Sequence, residues 1–192
     1  MTREEILEVA AQIFRQKGFH AASMQEIADA VNLRKASLYH HISSKQEILL
    51  DLLDMAMDYL IERTQAIFGQ ASPPQDRLRE AIHRYLQALT DYPDLANVLL
   101  IEYRSLEPDL KLRHQPRRDQ FEKLWRGLIQ EGIDTGLFQL TDASVAAKAL
   151  LGSMHWVITW YHEDGPRTIQ QIATIYSDLL LNGFLIRERS IP

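Results

Sequence analysis

The 192-residue sequence contains no cysteine, which excludes a disulfide framework, thiolate zinc sites and thiol catalysis. Glycine and proline are scarce, at 8 and 7 residues, which argues against a turn-rich all-β protein. The most apolar stretch, Ala149 to Tyr161, is shorter than the roughly 20 residues that span a bilayer. The start carries acidic Glu4 and Glu5 and is unlike a signal peptide. These absences predict a cytoplasmic protein without a membrane partner.

The overall charge favours neither nucleic acid nor any other acidic partner. The chain has 21 Lys and Arg against 26 Asp and Glu, a net charge of −5 with histidine neutral. Hydrophobic residues make up 46% of the sequence and charged residues 24%, so the chain can bury a core. Taken alone, the acidic balance argues against DNA as a partner, so the distribution of charge along the chain decides the question.

Hydrophobic spacing of three and four residues predicts helices along nearly the whole chain, and strand alternation is absent. The fold class is therefore all-α. Three short helices are predicted in the amino-terminal unit, residues 1–47, followed by a body of residues 48–192 that begins with a long connector helix, 48–68. The later helices are predicted over 75–90, 93–105, 110–135, 142–161 and 168–187.

The amino-terminal unit carries the most specific pattern. Ser23 and Glu26 form an S-x-x-E capping box at the start of the second helix. Asn32, which tolerates a left-handed conformation, follows that helix, and a short third helix is predicted from Arg34 to His41. Two short helices with such a turn form a helix-turn-helix, whose second helix lies in the major groove of DNA.

The charge around this third helix differs from that of the whole chain. Residues 30–46 contain no Asp or Glu, and the first 50 residues hold equal numbers of acidic and basic side chains. The net negative charge therefore belongs to the rest of the chain. Phosphate binding requires positive potential at the contact face alone, so the acidic total does not exclude DNA.

The segment from Ser23 to Leu49 closely resembles the DNA-binding signature of the TetR family. The resemblance implies a homodimeric, ligand-responsive repressor that binds a palindromic operator in double-stranded DNA. It also implies base contacts from Lys35, Ala36 and Tyr39. Arg34, which departs from the family's pattern, adds a potential phosphate or guanine contact. Phosphate contacts are implied for Ser23, Ser37, Tyr39, His40 and Lys45.

Four positions depart from the family's usual pattern. Asn32 replaces the turn glycine, and Arg34 stands where a Ser or Thr commonly caps the recognition helix. Ala36 replaces a frequent glycine and offers a methyl group to thymine, whereas Ile42 replaces a common phenylalanine in the core. These changes affect the operator sequence rather than DNA binding itself.

Other interpretations remain for the same residues. A short basic window is often only a solvated helix face, and Tyr39 can be a packed aromatic. The same architecture also serves activators and ligand-independent regulators, and a helix-turn-helix can serve protein interaction instead. Residues 30–46, which contain no acidic side chain, disfavour a protein-interaction module. Adding a ligand to a DNA-binding assay distinguishes a ligand-responsive regulator from a ligand-independent one.

Two carboxy-terminal segments are apolar on almost every face and are predicted to form a dimer surface. Helices 142–161 and 168–187 would pair with their symmetry mates in a four-helix bundle, as the family implies. The alternative is that both helices are buried in the core of a monomer.

A finer resemblance concerns the effector. The segments Arg117 to Arg126, Gly136 to Phe138, Leu151 to Trp156 and Trp160 to Tyr161 look like the branch of the family that controls fatty-acid, acyl or sterol catabolism. Its members sense acyl-coenzyme A thioesters, so a small apolar or acyl-CoA-like effector is expected. The alternative is that the basic residues near 117 are solvated, with Arg118 paired to Glu122. The candidate ligand residues are Leu99, Tyr103, Arg117, Arg118, Phe121, Trp125, Met154 and Trp156.

The sequence offers no support for an enzyme. His155 and His162 lie seven residues apart, which is not the ligand set of a zinc site. The chain also has no nucleophile elbow, phosphate loop or dinucleotide fingerprint. We therefore expect no catalytic residue, no metal and no cofactor.

Overall fold

The computed structural model describes residues 2–139 and 142–184, and all of its regular elements are helical, which confirms the predicted all-α class. None of the described helices combines the length and apolar character that crossing a membrane requires. The α-helices are α1 (Arg3–Lys17), α2 (Met24–Ala30), α3 (Lys35–His41), α4 (Lys45–Phe68), α5 (Pro74–Asp91), α6 (Pro93–Leu100), α7 (Pro108–Asp134), α8 (Ala143–His155), α9 (Val157–Trp160) and α10 (Ile169–Phe184). A 3₁₀ helix, Glu102–Ser105, lies between α6 and α7.

The chain divides into two compact units. Unit 1 contains residues 1–59 and 92–118, and unit 2 contains residues 60–91 and 119–192. Helices α4 and α7 each contribute residues to both units. The division follows packing, whereas the predicted boundary between residues 47 and 48 separates proposed functions, so that boundary stays a prediction.

Unit 1 is built around α1, which packs against α2 and α6. One face of α1 is apolar and lies in the core, where Ile6, Leu7, Ala10 and Phe14 are all buried. The helix ends at Gly18, which adopts a left-handed φ of 81° and whose N–H donates to the Phe14 carbonyl at 2.8 Å. Burial of each large side chain contributes roughly 1.5–3 kcal/mol, so this stripe fixes α1 to its neighbours.

Unit 2 has an aromatic centre between α4, α5 and α7. The Trp125 ring is fully buried and meets Phe68 edge-on at 5.5 Å and Phe121 at 6.1 Å between centroids. Tyr85 on α5 stacks on Phe121 at 6.1 Å, and α10 packs along α5. The apolar face of α5 lies in the core of unit 2, with these residues buried: Leu78, Ile82, Tyr85, Leu86 and Leu89.

Two predicted helices are wrong in their continuity. The segment 142–161 divides at Trp156, between α8 and α9, because Gly152 and the β-branched run 157–159 have low helix propensity. The Thr159 hydroxyl also donates to the Trp156 carbonyl at 2.7 Å, which competes with regular helix hydrogen bonding. The segment 93–105 likewise gives way to a 3₁₀ turn after Leu100. Residues 185–187 of the last predicted helix lie outside the described residues.

A buried arginine joins three helices of unit 2. Arg77 on α5 donates to the carbonyl of Phe68, at the end of α4, at 2.7 Å and pairs with Glu131 on α7. Its neighbour Arg79 leaves 44% of its side chain in solvent and pairs with Asp178 on α10 at 2.7 Å. The two arginines on one helix therefore differ mainly in burial.

We predict that Arg77→Met lowers the free energy of unfolding by about 1–3 kcal/mol, because the Phe68 carbonyl and Glu131 lose their donor. Arg79→Met is the matched control and is expected to lower it by less than about 1 kcal/mol, since solvent-accessible ion pairs are weak. Urea unfolding followed by circular dichroism measures both. Equal losses would contradict the role assigned to the buried guanidinium.

Candidate nucleic-acid interface and effector region

Helices α2 and α3 meet at a tight turn whose geometry follows from local sequence. The Ser23 hydroxyl accepts from the Glu26 N–H at 3.2 Å, and the Ser23 N–H donates to the Glu26 carboxylate at 2.9 Å, which confirms the predicted capping box. Asn32 adopts a φ of 55°, as predicted for the turn, and the Leu33 N–H donates to the Ala28 carbonyl at 2.8 Å. The result is a helix-turn-helix with α3 as its second helix.

Helix α3 has one buried face and one exposed polar face. Leu38 and, just after the helix, Ile42 are buried, and Ile42 thus occupies the core position predicted for it. No side chain caps the start of α3, where Arg34 replaces the usual Ser or Thr. The proposed base and phosphate contacts on this helix are exposed, except for half-buried Ser37: Arg34, Lys35, Ala36, Tyr39 and His40.

Arg3 holds the carboxyl end of α3 from outside the motif. Its guanidinium donates to the His41 carbonyl and also pairs with Glu47 at 3.0 Å and with Asp51 on α4. Sequence reasoning missed this residue because the partners are more than 35 positions away. It also missed the capping box of α1, formed by Thr2 and Glu5, although the T-x-x-E spacing was readable.

The Lys45 ammonium, a predicted phosphate contact, is already bonded within unit 1. It donates to the carbonyls of Phe19 at 2.7 Å, Ala22 at 2.6 Å and His20 at 3.3 Å. It also lies 4.5 Å from the centre of the Phe19 ring. Burial lowers the pKa of Lys45, an effect that the charges of Glu102 and Glu26 oppose. An ammonium has three hydrogens to donate, so a phosphate contact requires Lys45 to give up a carbonyl.

Four candidate effector residues lie in unit 1. Leu99 is buried on α6, and the Arg118 guanidinium lies 4.1 Å from the centre of the Tyr103 ring. Arg117 pairs with Asp54 at 3.1 Å and Asp58 at 2.8 Å, and the hydrogen bond to Asp58 raises the pKa of Arg117. The alternative of an Arg118–Glu122 pair is not seen among the described ion pairs. Both cations are thus engaged by groups of unit 1.

A buried histidine lies beside these residues and was not singled out by the sequence. The His114 ring is fully buried, its Nδ1 donates to Asp54 at 2.7 Å, and it lies 5.8 Å from the Tyr103 ring. Because a carboxylate only accepts, the pairing with Asp54 fixes a hydrogen on Nδ1. Within the described part of the chain, His114 Nε2 has no hydrogen-bond partner.

The other four candidates lie in unit 2 and do not form one cluster. Phe121 and Trp125 belong to the aromatic centre, and Met154 on α8 is fully buried. Trp156 is exposed and does not join them. The buried indole N–H of Trp125 has no acceptor among the described residues.

The described residues were also compared with the requirements of a metal ion and of an acyl chain. Among the described residues, no group of three or more His, Asp or Glu side chains is arranged to hold a metal ion. A surface groove of about 480 Å³ lies between α5 and α10. Its lining is mostly charged or polar, unlike the wall that an acyl chain requires: Asp76, Arg79, Glu80, His83, Arg84, Gln87, Ile169 and Gln170.

A helix-turn-helix with an exposed, acid-free second helix defines a class of protein, the DNA-binding regulators. The model of the bacterial regulatory proteins of the tetR family matches residues 6–52, and that of the tetracyclin repressor-like C-terminal domain matches residues 71–184. The chain belongs to the TetR family, which consists of transcriptional regulators and not of enzymes.

Individual relatives match along nearly the whole chain. The transcriptional repressor KstR2 of Mycolicibacterium smegmatis is 30% identical over 190 residues, which covers 94% of this chain and 89% of that protein. The solved structure of the regulator PfmR from Thermus thermophilus is 33% identical, with a TM-score of 0.85 over 93% of this chain and 97% of that one. AibR, solved with isovaleryl coenzyme A and operator DNA, is 28% identical, with a TM-score of 0.87 and the same coverage.

Proposed function

We propose that this regulator is a homodimeric repressor that binds a palindromic operator and releases it when an apolar, acyl-CoA-like effector binds. The observation that carries the DNA-binding part is the exposed polar face of α3, which lies within a segment free of acidic residues. Membership of the family supports the remainder, because relatives along the whole chain are named repressors. Such a protein acts on DNA in the cytoplasm.

Within the interface, we assign base contacts to Lys35, Ala36 and Tyr39 and phosphate contacts to Ser37 and His40. Arg34 directly precedes α3, at the amino-terminal end of the same exposed face, and can reach a phosphate or a guanine. Ser23 and Lys45 flank the helix, and each already bonds within unit 1, so Lys45 would contact a phosphate only by giving up one of its carbonyl partners. Base contacts set the operator sequence, and phosphate contacts set the orientation of the dimer.

The dimer proposal rests on apolar side chains that a single chain leaves in water. Val145 on α8 is 62% exposed, Trp156 is 65% exposed and Leu179 on α10 is 69% exposed. Trp160 and Ile175 are exposed in the same region of unit 2. Exposed apolar groups of this size mark an interaction surface, and pairing α8 and α10 with their symmetry mates would bury them in a four-helix bundle.

The effector proposal rests on the similarity of this chain to AibR and on buried polar atoms inside each unit. AibR was solved with an acyl-coenzyme A, and this chain matches it over 93% of its length. Trp125 and His114 each bury a polar atom without a described partner, a property that suits an apolar ligand carrying a few polar groups. Arg117 and Arg118 would bind the coenzyme phosphates only by leaving Asp54, Asp58 and the Tyr103 ring, which makes effector binding competitive with internal contacts.

We predict that Lys35→Ala and Tyr39→Ala each weaken operator binding by roughly 5- to 150-fold, because a base contact contributes about 1–3 kcal/mol. The operator is a duplex selected from a randomised pool by the purified wild-type protein. Fluorescence anisotropy at a stated salt concentration measures the dissociation constants.

Matched controls test whether a loss of affinity comes from DNA contacts on α3 or from removing any exposed cation or tyrosine hydroxyl. Lys123→Ala removes an exposed cation from α7, and Tyr92→Phe removes a hydroxyl from a tyrosine that is 46% exposed, the same fraction as Tyr39. Both should bind within twofold of wild type. Unchanged binding of Lys35→Ala and Tyr39→Ala would reject α3 as the recognition helix, and failure of the wild type to select any duplex would favour a protein-interaction module.

We predict that Leu179→Glu converts the dimer to a monomer, because the proposed bundle would bury an unpaired carboxylate. Light scattering after size exclusion should give the mass of one chain. Leu112→Glu, which changes a leucine that is 73% exposed on α7, is the control and should keep the mass of two chains. A wild-type protein with the mass of one chain, or a dimeric Leu179→Glu variant, contradicts this interface.

We predict that palmitoyl-CoA or isovaleryl-CoA releases the selected operator and raises the melting temperature, whereas free coenzyme A and palmitate do neither. At a hundredfold excess over Kd the stabilisation is about 2.7 kcal/mol, which raises Tm by roughly 5–10 °C. No shift with either thioester would reject the effector class. Operator binding that persists with a bound thioester would indicate a ligand-independent regulator.

A further inference from the structure

The segment from α6 to the start of α7 is joined by polar contacts to the elements that flank the helix-turn-helix in unit 1, and the paired residues are far apart in sequence. Asp94 at the start of α6 pairs with Arg15 on α1 at 3.1 Å. The remaining contacts converge on residues 102–107, which contain the 3₁₀ helix and the residues that precede α7. None of these residues belongs to the proposed DNA-contacting set.

Glu102 is the unusual member of this segment, since a glutamate is rarely buried and its side chain is only 8% exposed. Its Oε1 accepts from the backbone N–H of Phe19 at 3.1 Å, and its Oε2 accepts from the Ser105 hydroxyl at 3.2 Å. Phe19 is itself buried, so its N–H has no water to bond and depends on this carboxylate.

The same residue, Phe19, is held from its other side by the start of α4. Its carbonyl accepts from the Lys45 ammonium at 2.7 Å, and the Ala22 carbonyl accepts from the same ammonium at 2.6 Å. Glu102 and Lys45 therefore bind the two polar backbone groups of one residue. Since Ser23 caps α2 directly after this turn, the position of the turn sets where α2 begins.

Gln46 supplies a second connection one residue further along α4. Its Nε2 donates to the Ser105 carbonyl at 3.0 Å, and its Oε1 accepts from the Glu107 N–H at 3.0 Å. One side-chain amide thus pairs with two backbone groups of the 102–107 segment. Both connections are directional hydrogen bonds, and they hold the turn before α2 and the first turn of α4, which follows α3.

We propose that Glu102 and Gln46 are positioning residues for operator binding, forming a latch through which segment 102–107 sets the placement of α2 and α3. The inference rests on the proposed DNA-binding function. Neither side chain reaches DNA in this role: Glu102 is buried and negatively charged, and the Gln46 amide is occupied by backbone groups. Their effect on affinity comes through the orientation of the recognition helix.

The test measures operator affinity of Glu102→Ala and Gln46→Ala at several salt concentrations, on the duplex selected by the wild type. Each variant is expected to bind at least tenfold more weakly with an unchanged salt slope, because no phosphate contact is removed. Glu102→Gln retains an oxygen that accepts from Phe19 and should bind within threefold of wild type. Glu8→Ala removes an exposed carboxylate of α1 as the matched control and should bind like wild type.

Two readouts separate positioning from loss of folded protein. Stoichiometric titration at high DNA concentration gives the active fraction of each variant, so affinities refer to folded protein alone. Hydrogen exchange of peptides covering residues 15–22 should accelerate at least tenfold in Glu102→Ala and remain unchanged in Glu8→Ala.

The outcomes separate the latch from the proposed function. Glu102→Ala that binds within twofold of wild type at equal active fraction overturns the latch and leaves the regulator intact. A salt slope that falls by about one would also overturn it, because it would indicate a lost phosphate contact. Failure of the wild type to select any duplex rejects the proposed function, and the latch falls with it.

Discussion

Helix α3 has seven residues, and a helix of that length is not stable in water by itself, so its shape and position come from its neighbours. Leu38 anchors its inner face, and Arg3 binds the carbonyl of His41 at its end. The turn before α2 is fixed by Lys45 and Glu102, and the turn before α3 by the left-handed Asn32. Unit 1 supports the exposed face of a short helix that cannot support itself.

Because the position of α3 depends on its neighbours, a few polar contacts have a large effect on the placement of this helix. Apolar burial places α1 against α2 and α6, yet it does not fix rotation or register to the fraction of an ångström that base recognition requires. Arg3, Lys45 and Glu102 each bond a backbone group at the end of α3 or in the turn before α2. A hydrogen bond to the backbone restricts the position of these segments directly. The charges of the chain follow the same division, with acids absent from residues 30–46 and in excess after residue 50.

Local features were predictable from sequence because their partners are close along the chain. The Ser23–Glu26 capping box, the left-handed Asn32 and the buried Leu38 all follow from spacing and residue type. Contacts such as Glu102 with Phe19 or His114 with Asp54 join residues more than 55 positions apart, and no local sequence pattern predicts them. The helix break at Trp156 was missed because the apolar pattern of 142–161 outweighed the weak helix propensity of its last third.

Hydroxyl-radical footprinting of the wild-type protein on its selected operator tests the central claim most directly, since it reads the placement of α3 on DNA without any substitution. Two recognition helices of one dimer should give two symmetry-related protected regions whose centres lie about one helical turn, or a small multiple of it, apart. A single protected region, or protection without symmetry, would contradict the placement of α3 in a symmetric dimer.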